Sequence, residues 1–153
     1  EGERILMEIC PEAVIVRTSW LYSSFGNNFV KTMLRLGQER DKLNVIFDQV
    51  GTPTYAADLA VALLSILAAG KPTAGIYHYS NEGVCSWYDF TRSIHRLAGI
   101  SCNLVPIESK EYPVRTPRPH FSVLNKAKIK QTYGTEIPHW EDSLEKCIRL
   151  LVK

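Results

Sequence analysis

Short β-branched runs alternating with longer stretches of helical periodicity predict an α/β protein. Three observations carry that prediction. Apolar runs at residues 13–16, 43–47 and 76–80 have strand length and composition. Between them, residues such as Phe29, Met33, Leu34 and Leu36 recur at helical spacing. Capping signals mark where the helices start and stop: Asn27-Asn28 ahead of one, the capping-box spacing Ser86-x-x-Asp89 ahead of another, and Gly99 behind it.

Taken in order, residues 1–10 put Ile5, Leu6 and Ile9 on one helical face with no capping residue ahead of them, and Pro11 closes the helix. This reads as a chain that begins inside a helix, as an excised fragment would. The run 13–16 is the pattern of a strand buried on both faces of a parallel sheet, and it ends in Arg17-Thr18-Ser19-Trp20. Polar residues at the carboxyl end of such a strand stand where open α/β sheets bind ligands. After the Asn27-Asn28 helix and the 43–47 strand comes a turn-rich loop, Asp48 to Thr54. Thr54 is expected to cap an apolar helix ending near Gly70. The strand 76–80 leads into the capping-box helix, which runs to about Leu97. A further strand is expected near Leu104, then a proline-rich irregular crossing to Pro119. Ser122 to Asn125 opens a short helix through Lys130. The last helix starts around Pro138 with Glu141 and Asp142 early and Lys146 and Arg149 late, complementing its own dipole.

Composition narrows the function classes. With 153 residues, 45% hydrophobic and 22% charged, the chain can close a core, which excludes disordered and collagen-like classes. A formal net charge of +2 with scattered Lys and Arg leaves no footprint for nucleic acid or an anionic membrane. No apolar run reaches the roughly 20 residues of a membrane span, and the first residues lack a signal-peptide pattern, so the cytoplasm is the expected compartment. Cys10, Cys85, Cys102 and Cys147 have neither Cys-x-x-Cys nor zinc-finger spacing. They read as reduced, mostly buried thiols, and no metal site is expected.

No glycine-rich dinucleotide turn, P-loop, nucleophile elbow or zinc-protease motif is present. His78, His95, His120 and His139 read as surface or strand-end histidines, none flanked in sequence by a nucleophile or carboxylate. Four features remain as candidates. Trp20 is either core filler or a ring facing a ligand crevice. Asn27-Asn28 is a helix cap or a ligand contact. Asp48-Gln49 is a turn or a polar binding loop. Arg115 and Arg118 either meet a diphosphate through paired N–H donors or decorate a loop.

Taken in order and spacing, several segments resemble the extended short-chain dehydrogenase/reductase superfamily, and within it the dTDP-4-dehydrorhamnose reductases. They are Glu1 to Arg4, Arg17-Thr18-Ser19-Trp20-Leu21-Tyr22, the Gly26-Asn27-Asn28-Phe29 run to Leu36, Asp48-Gln49-Val50-Gly51-Thr52-Pro53-Thr54, Ile76 to Asn81, Ser86 to Phe90, Arg118 to Leu124, and His139 to Leu144. The resemblance spans essentially the whole chain. It implies reduction of the C4 keto group of dTDP-4-dehydro-L-rhamnose with NADPH or NADH. The cofactor and a Tyr-x-x-x-Lys proton donor would sit on an N-terminal Rossmann half upstream of Glu1.

Residues 1–153 are therefore expected to be the C-terminal substrate-binding part of a Rossmann-type extended short-chain dehydrogenase, inactive alone. The strands near Val14 and Ile76 and the helix after Thr54 would belong to the Rossmann sheet. The Asn27 helix, the 43–47 strand and the region after Ser86 would build a small α/β substrate lobe. The resemblance implies no catalytic residue here. It places Trp20 beside the dTDP-sugar, with Asn27, Asn28, Gln49 and Arg118 near the cleft, and it allows a homodimer. Some members link such a dimer through magnesium at acidic residues after the Pro-Thr pair; here the stretch reads Tyr55-Ala56-Ala57-Asp58. Two other functions fit the same resemblance: a reductase or epimerase of another nucleotide sugar, and a regulatory subunit like the beta subunit of methionine adenosyltransferase.

Overall fold

The computed structural model describes residues 1–70, 72–112, 116 and 118–152. Helix α1 (Gly2–Ile9) leads into β1 (Val14–Arg17) and the short β2 (Leu21–Tyr22). Next come α2 (Phe29–Glu39), β3 (Lys42–Ile46), β4 (Val50–Gly51), β5 (Thr54–Tyr55) and α3 (Ala56–Ala68). The chain continues through β6 (Gly75–His78), β7 (Cys85–Ser86), α4 (Trp87–Ala98) and β8 (Asn103–Ile107). A 3-10 turn at Ser109–Glu111 precedes α5 (Ala127–Tyr133) and α6 (Trp140–Leu151). Strands and helices alternate, as the sequence pattern predicts.

The strands pair in twos. β1 runs parallel to β6, with Val14 opposite Gly75 and Arg17 opposite His78. β3 runs parallel to β8 from Lys42–Asn103 to Ile46–Ile107. β2 lies parallel to β5, and β4 antiparallel to β7. Val14, Ile15 and Val16 are only half-buried, so β1 departs from the expectation of a strand covered on both faces. Pro106 lies within β8, and its missing N–H is tolerated because this pair has outer edges.

Local signals explain most boundaries. Ser86 Oγ accepts from Asp89 N at 3.1 Å while the Asp89 carboxylate accepts from Ser86 N at 3.0 Å, the reciprocal cap read from the spacing. Gly99 takes the left-handed conformation, φ +66, that ends α4. Two boundaries differ from expectation. Thr54 lies in β5 rather than capping α3, whose first turn is held by Asn81 Oδ1 accepting from Tyr55 N at 2.8 Å. The α5 helix begins at Ala127, whose N–H donates to Asn125 Oδ1, not at Ser122.

Packing divides into two cores. In the larger, Tyr22, Val30, Phe90, Ile94, Trp140, Leu144 and Ile148 from α2, α4, α6 and the β2/β5 pair are buried together. Each such side chain contributes roughly 1.5–3 kcal/mol by leaving water. The smaller holds Ala62, Ile66, Tyr77, Tyr79 and Ile129, between α3, β6 and α5. Between the two lies a polar hub. Asn81, fully buried, donates to Asp58 Oδ2 at 2.7 Å, Ser143 Oγ at 3.0 Å and Pro138 O at 3.2 Å. Lys126 adds a buried ammonium that donates to Asn81 O at 2.9 Å and pairs with Glu82.

His95 corrects the surface reading of the histidines. It is buried in α4, and its Nε2 lies 2.9 Å from Met33 O, tying α4 to α2. Gly37 makes that approach possible, since a Cβ there would stand 2.5 Å from His95 Nε2. The cysteines are unpaired, as read from their spacing, but less uniformly buried than expected. Cys85 and Cys147 are buried, Cys102 is half-buried and Cys10 is exposed, and all four are free thiols. Among the described residues no helix is long and apolar enough to cross a membrane.

Candidate substrate cleft

A cleft of about 770 Å³ runs along β3 between α2 and the segment after β8. Phe29, Met33 and Leu36 line it from α2, Gln49 from the loop after β3, Trp87 from the start of α4, and Tyr112 and Arg118 from the crossing segment. Arg40, Lys42 and Arg118 outnumber Glu111 among its charged lining residues, so the cleft favours an anion. An apolar wall facing cationic donors suits a ligand with a flat ring at one end and phosphate at the other.

Gln49 is buried, and its amide nitrogen donates to Ser109 Oγ at 2.9 Å. Ser109 in turn donates to Asp48 Oδ1, from its hydroxyl at 2.6 Å and its backbone N–H at 2.9 Å. Those bonds stabilise the charged form, so the Asp48 carboxyl sits below the usual carboxylate range. His120 closes the other side of this loop: its Nδ1 is 2.9 Å from Asp48 O and 3.5 Å from Asp48 Oδ2. The loop carrying Gln49 is thus pinned to both ends of the segment that carries Arg118.

Trp20 holds the most unusual backbone. Its φ of +45 is the one positive value at a non-glycine position among the described residues, a conformation that costs an L-residue about 1–2 kcal/mol. Surrounding contacts hold it there. Trp20 O accepts from Thr54 N at 3.1 Å, and Ser19 Oγ donates to Thr52 O at 2.9 Å. The indole stacks on Trp87 with centroids 3.5 Å apart and planes 11° from parallel. Its edge meets Gly51, where a Cβ would stand 2.7 Å from Trp20 Cε2.

The expected site residues fall into two groups. Gln49 and Arg118 line the cleft, and Trp20 stands behind Trp87, which lines it. Asn27 and Asn28 sit at the start of α2, outside the lining. Asn27 is exposed. Asn28 caps α2, accepting from Lys31 N at 3.2 Å and donating to Ser23 O at 2.8 Å. Arg115 lies outside the described residues. The Asp58 carboxylate turns inward to Asn81 and Ser143. Sequence reading missed Trp87, Ser109 and the His120–Asp48 contact. Trp87 had a visible signal as an aromatic directly behind an N-cap, but its partner 67 positions earlier is set by the tertiary fold.

Fold and cleft together define a class, an α/β domain whose candidate cleft reaches the carboxyl ends of parallel strands. More particularly, the chain belongs to the family described as RmlD substrate binding domain, whose model matches residues 1–152. It is similar to dTDP-4-dehydrorhamnose reductase of Escherichia coli K12, 41% identical, with 98% of this chain and 53% of that protein covered. A solved dTDP-4-dehydrorhamnose reductase from Clostridium acetobutylicum superposes with a TM-score of 0.93 at 43% identity, over 99% of this chain and 53% of that one. The Bacillus anthracis reductase, solved in complex with NADP, superposes with a TM-score of 0.91 at 39% identity, over 97% and 52%. The chain spans about half the length of the curated relatives it matches.

Proposed function

We propose that this chain is the substrate-binding part of an NAD(P)H-dependent reductase that converts dTDP-4-dehydro-L-rhamnose to dTDP-L-rhamnose. The observation that carries the reading is the cleft itself, cationic at Arg40, Lys42 and Arg118 and walled by aromatic rings, in a chain of this family. Arg118 is the donor for the diphosphate, and Gln49, held by Ser109, offers its carbonyl oxygen as an acceptor. Trp20 backs the aromatic wall from the carboxyl end of β1, stacked behind Trp87. Asn27 and Asn28 act at the rim of the cleft through the loop that opens α2.

NADPH or NADH belongs mainly to the other half of such a protein. The 153 residues contain no glycine-rich turn to cradle a pyrophosphate. The carboxyl end of the β1/β6 pair presents Arg17, engaged by Glu3, and His78. These residues do not build a dinucleotide site, so no hydride or proton step is assigned to them. That other half would also cover the apolar outer faces of α1 and α3. A homodimer and a cytoplasmic location complete the reading.

The test is to express the complete gene and supply NADPH with dTDP-4-dehydro-L-rhamnose. Nicotinamide absorbance should fall in step with dTDP-rhamnose formation, while residues 1–153 alone leave it unchanged. Turnover of UDP- or GDP-sugars in preference, or NADPH consumption by the 153 residues alone, overturns the assignment.

A further inference from the structure

Trp87 occupies the first position of α4, where the reciprocal Ser86–Asp89 cap fixes the backbone on which it stands. One face of its indole is covered by Trp20 at 3.5 Å. Phe29 packs against it at 4.5 Å, tilted by 48°, and in turn stacks on Phe90 in the larger core. Trp87 and Phe29 both line the cleft, whereas Trp20 is reached through Trp87. A left-handed backbone at a non-glycine residue persists only where its surroundings over-determine it. The hydrogen bond from Thr54 N holds the Trp20 main chain, and the stack on Trp87 holds its ring.

We propose that Trp87 is the aromatic wall that receives the pyrimidine base of the nucleotide, and that it is also the positioning residue for the Trp20 indole. The inference rests on the nucleotide-sugar reading above and adds a residue and a division of labour to it. Trp87 and Phe29 form the apolar end of the cleft, and the phosphates reach Arg118. The same indole transmits its position to Trp20, so that base binding and the orientation of the second ring are linked through one stacked pair.

The experiment uses the protein encoded by the complete gene, titrated with dTDP and, in parallel, UDP. Trp87→Ala should weaken binding of the preferred nucleotide about tenfold, the size expected for losing one base–aromatic stack. Trp87→Phe should restore most of it. Trp87→Leu, which keeps apolar bulk, guards against a folding defect: it should melt close to the wild type yet bind as weakly as the alanine variant. A fluorescence readout separates contact from mere support. Nucleotide addition should still change tryptophan emission in Trp20→Phe and should lose most of that change in Trp87→Phe. Combining Trp20→Ala with Trp87→Ala should cost less than the product of the single effects, because each removes the same stack.

Wild-type affinity in folded Trp87→Leu and Trp87→Ala, or a loss seen with dTDP-rhamnose but not with dTDP, overturns the proposal while leaving the substrate class intact. Preference for UDP removes the dTDP assignment, and the Trp87 variants are then read on UDP. A wild-type protein that binds neither nucleotide overturns both.

Discussion

The core formed by α2, α4 and α6 closes on itself, whereas the one beneath α3 is covered on one side only. In the larger core Phe90, Ile94, Leu144 and Cys147 are at most 1% exposed, and aromatic rings from three helices interlock. In the smaller, α3 buries Ala62 and Ile66 but leaves Val61, Leu64 and Leu67 between 64% and 68% exposed. Helix α1 buries nothing, and its Ile5, Leu6 and Ile9 face outward beside a parallel pair only two strands wide. Both helices thus leave an apolar stripe exposed beside a strand pair with open edges. The closed lobe carries the cleft, whose lining residues Phe29, Met33 and Trp87 pack against the larger core.

The sharpest contrast is kinetic. Cys10 should react with a thiol reagent at the rate of an exposed cysteine, while Cys85 and Cys147 react on the order of a thousandfold more slowly, because the core must open first. Burial also pushes both thiols up, Cys147 to about 11, which lowers the reactive thiolate further. Mass-spectrometric counting of labelled sites over time checks this, and rapid labelling of all four would mean that the lobe is not closed.

In energy the contrast should appear between Phe90 and Leu64. Phe90→Ala should cost about 3–5 kcal/mol, since Tyr22, Phe29 and Trp140 cannot all collapse into the space it leaves. Leu64→Ser should stay within about 0.5 kcal/mol and reduce self-association. Urea denaturation of the two variants measures both. A severe loss from Leu64→Ser would show that the open face is stabilising as it stands.

The junction between the regions should yield the next effect. Asn81→Ala leaves Tyr55 N without its side-chain acceptor and removes one of the donors to Asp58, which keeps the Ser143 hydroxyl, at a cost of about 1–3 kcal/mol for the unsatisfied buried groups. Both cores should loosen together, seen as broad loss of amide protection on α3 and α6; loss confined to one of them would deny the hub its bridging role. Ser86→Ala, which removes one cap inside the closed lobe, should cost about 1 kcal/mol with an unchanged denaturant slope.

The smallest effect is electrostatic. Asp48 is held below its ordinary value by Ser109, so its contribution is present above the unfolded pKa of about 4 and is lost as pH falls through the lower folded value. Melting curves of the wild type and Ser109→Ala should therefore differ at pH 6 and converge below about pH 4. Parallel curves throughout would remove the latch from the loop that carries Gln49.

Local chemistry was legible in the residues themselves. The Ser86-x-x-Asp89 cap, the left-handed Gly99, the Asn28 cap and the alternation that defines an α/β chain depend on neighbours a few positions apart, so a linear reading captures them. So does the ordered set of motifs that led to the family, and with it the candidacy of Trp20, Gln49 and Arg118. Features joining distant residues were not legible. The Trp20–Trp87 stack, the Asn81 hub with Asp58 and Ser143, the Ser109 bridge to Asp48 and Gln49, and the burial of His95 against Met33 each link groups 23 to 85 positions apart. Thr54 shows the same limit: threonine suits a helix start and a buried strand equally, and pairing with β2 decides for the strand. Sequence by itself determined the longer helices, the strands near Val14, Leu43, Ile76 and Leu104, and the family; the two-residue strands β2, β4, β5 and β7 exist only through pairing with distant partners. Only the tertiary structure decided which side chains share a cleft, because that depends on packing between elements whose spacing along the chain carries no trace of their distance in space.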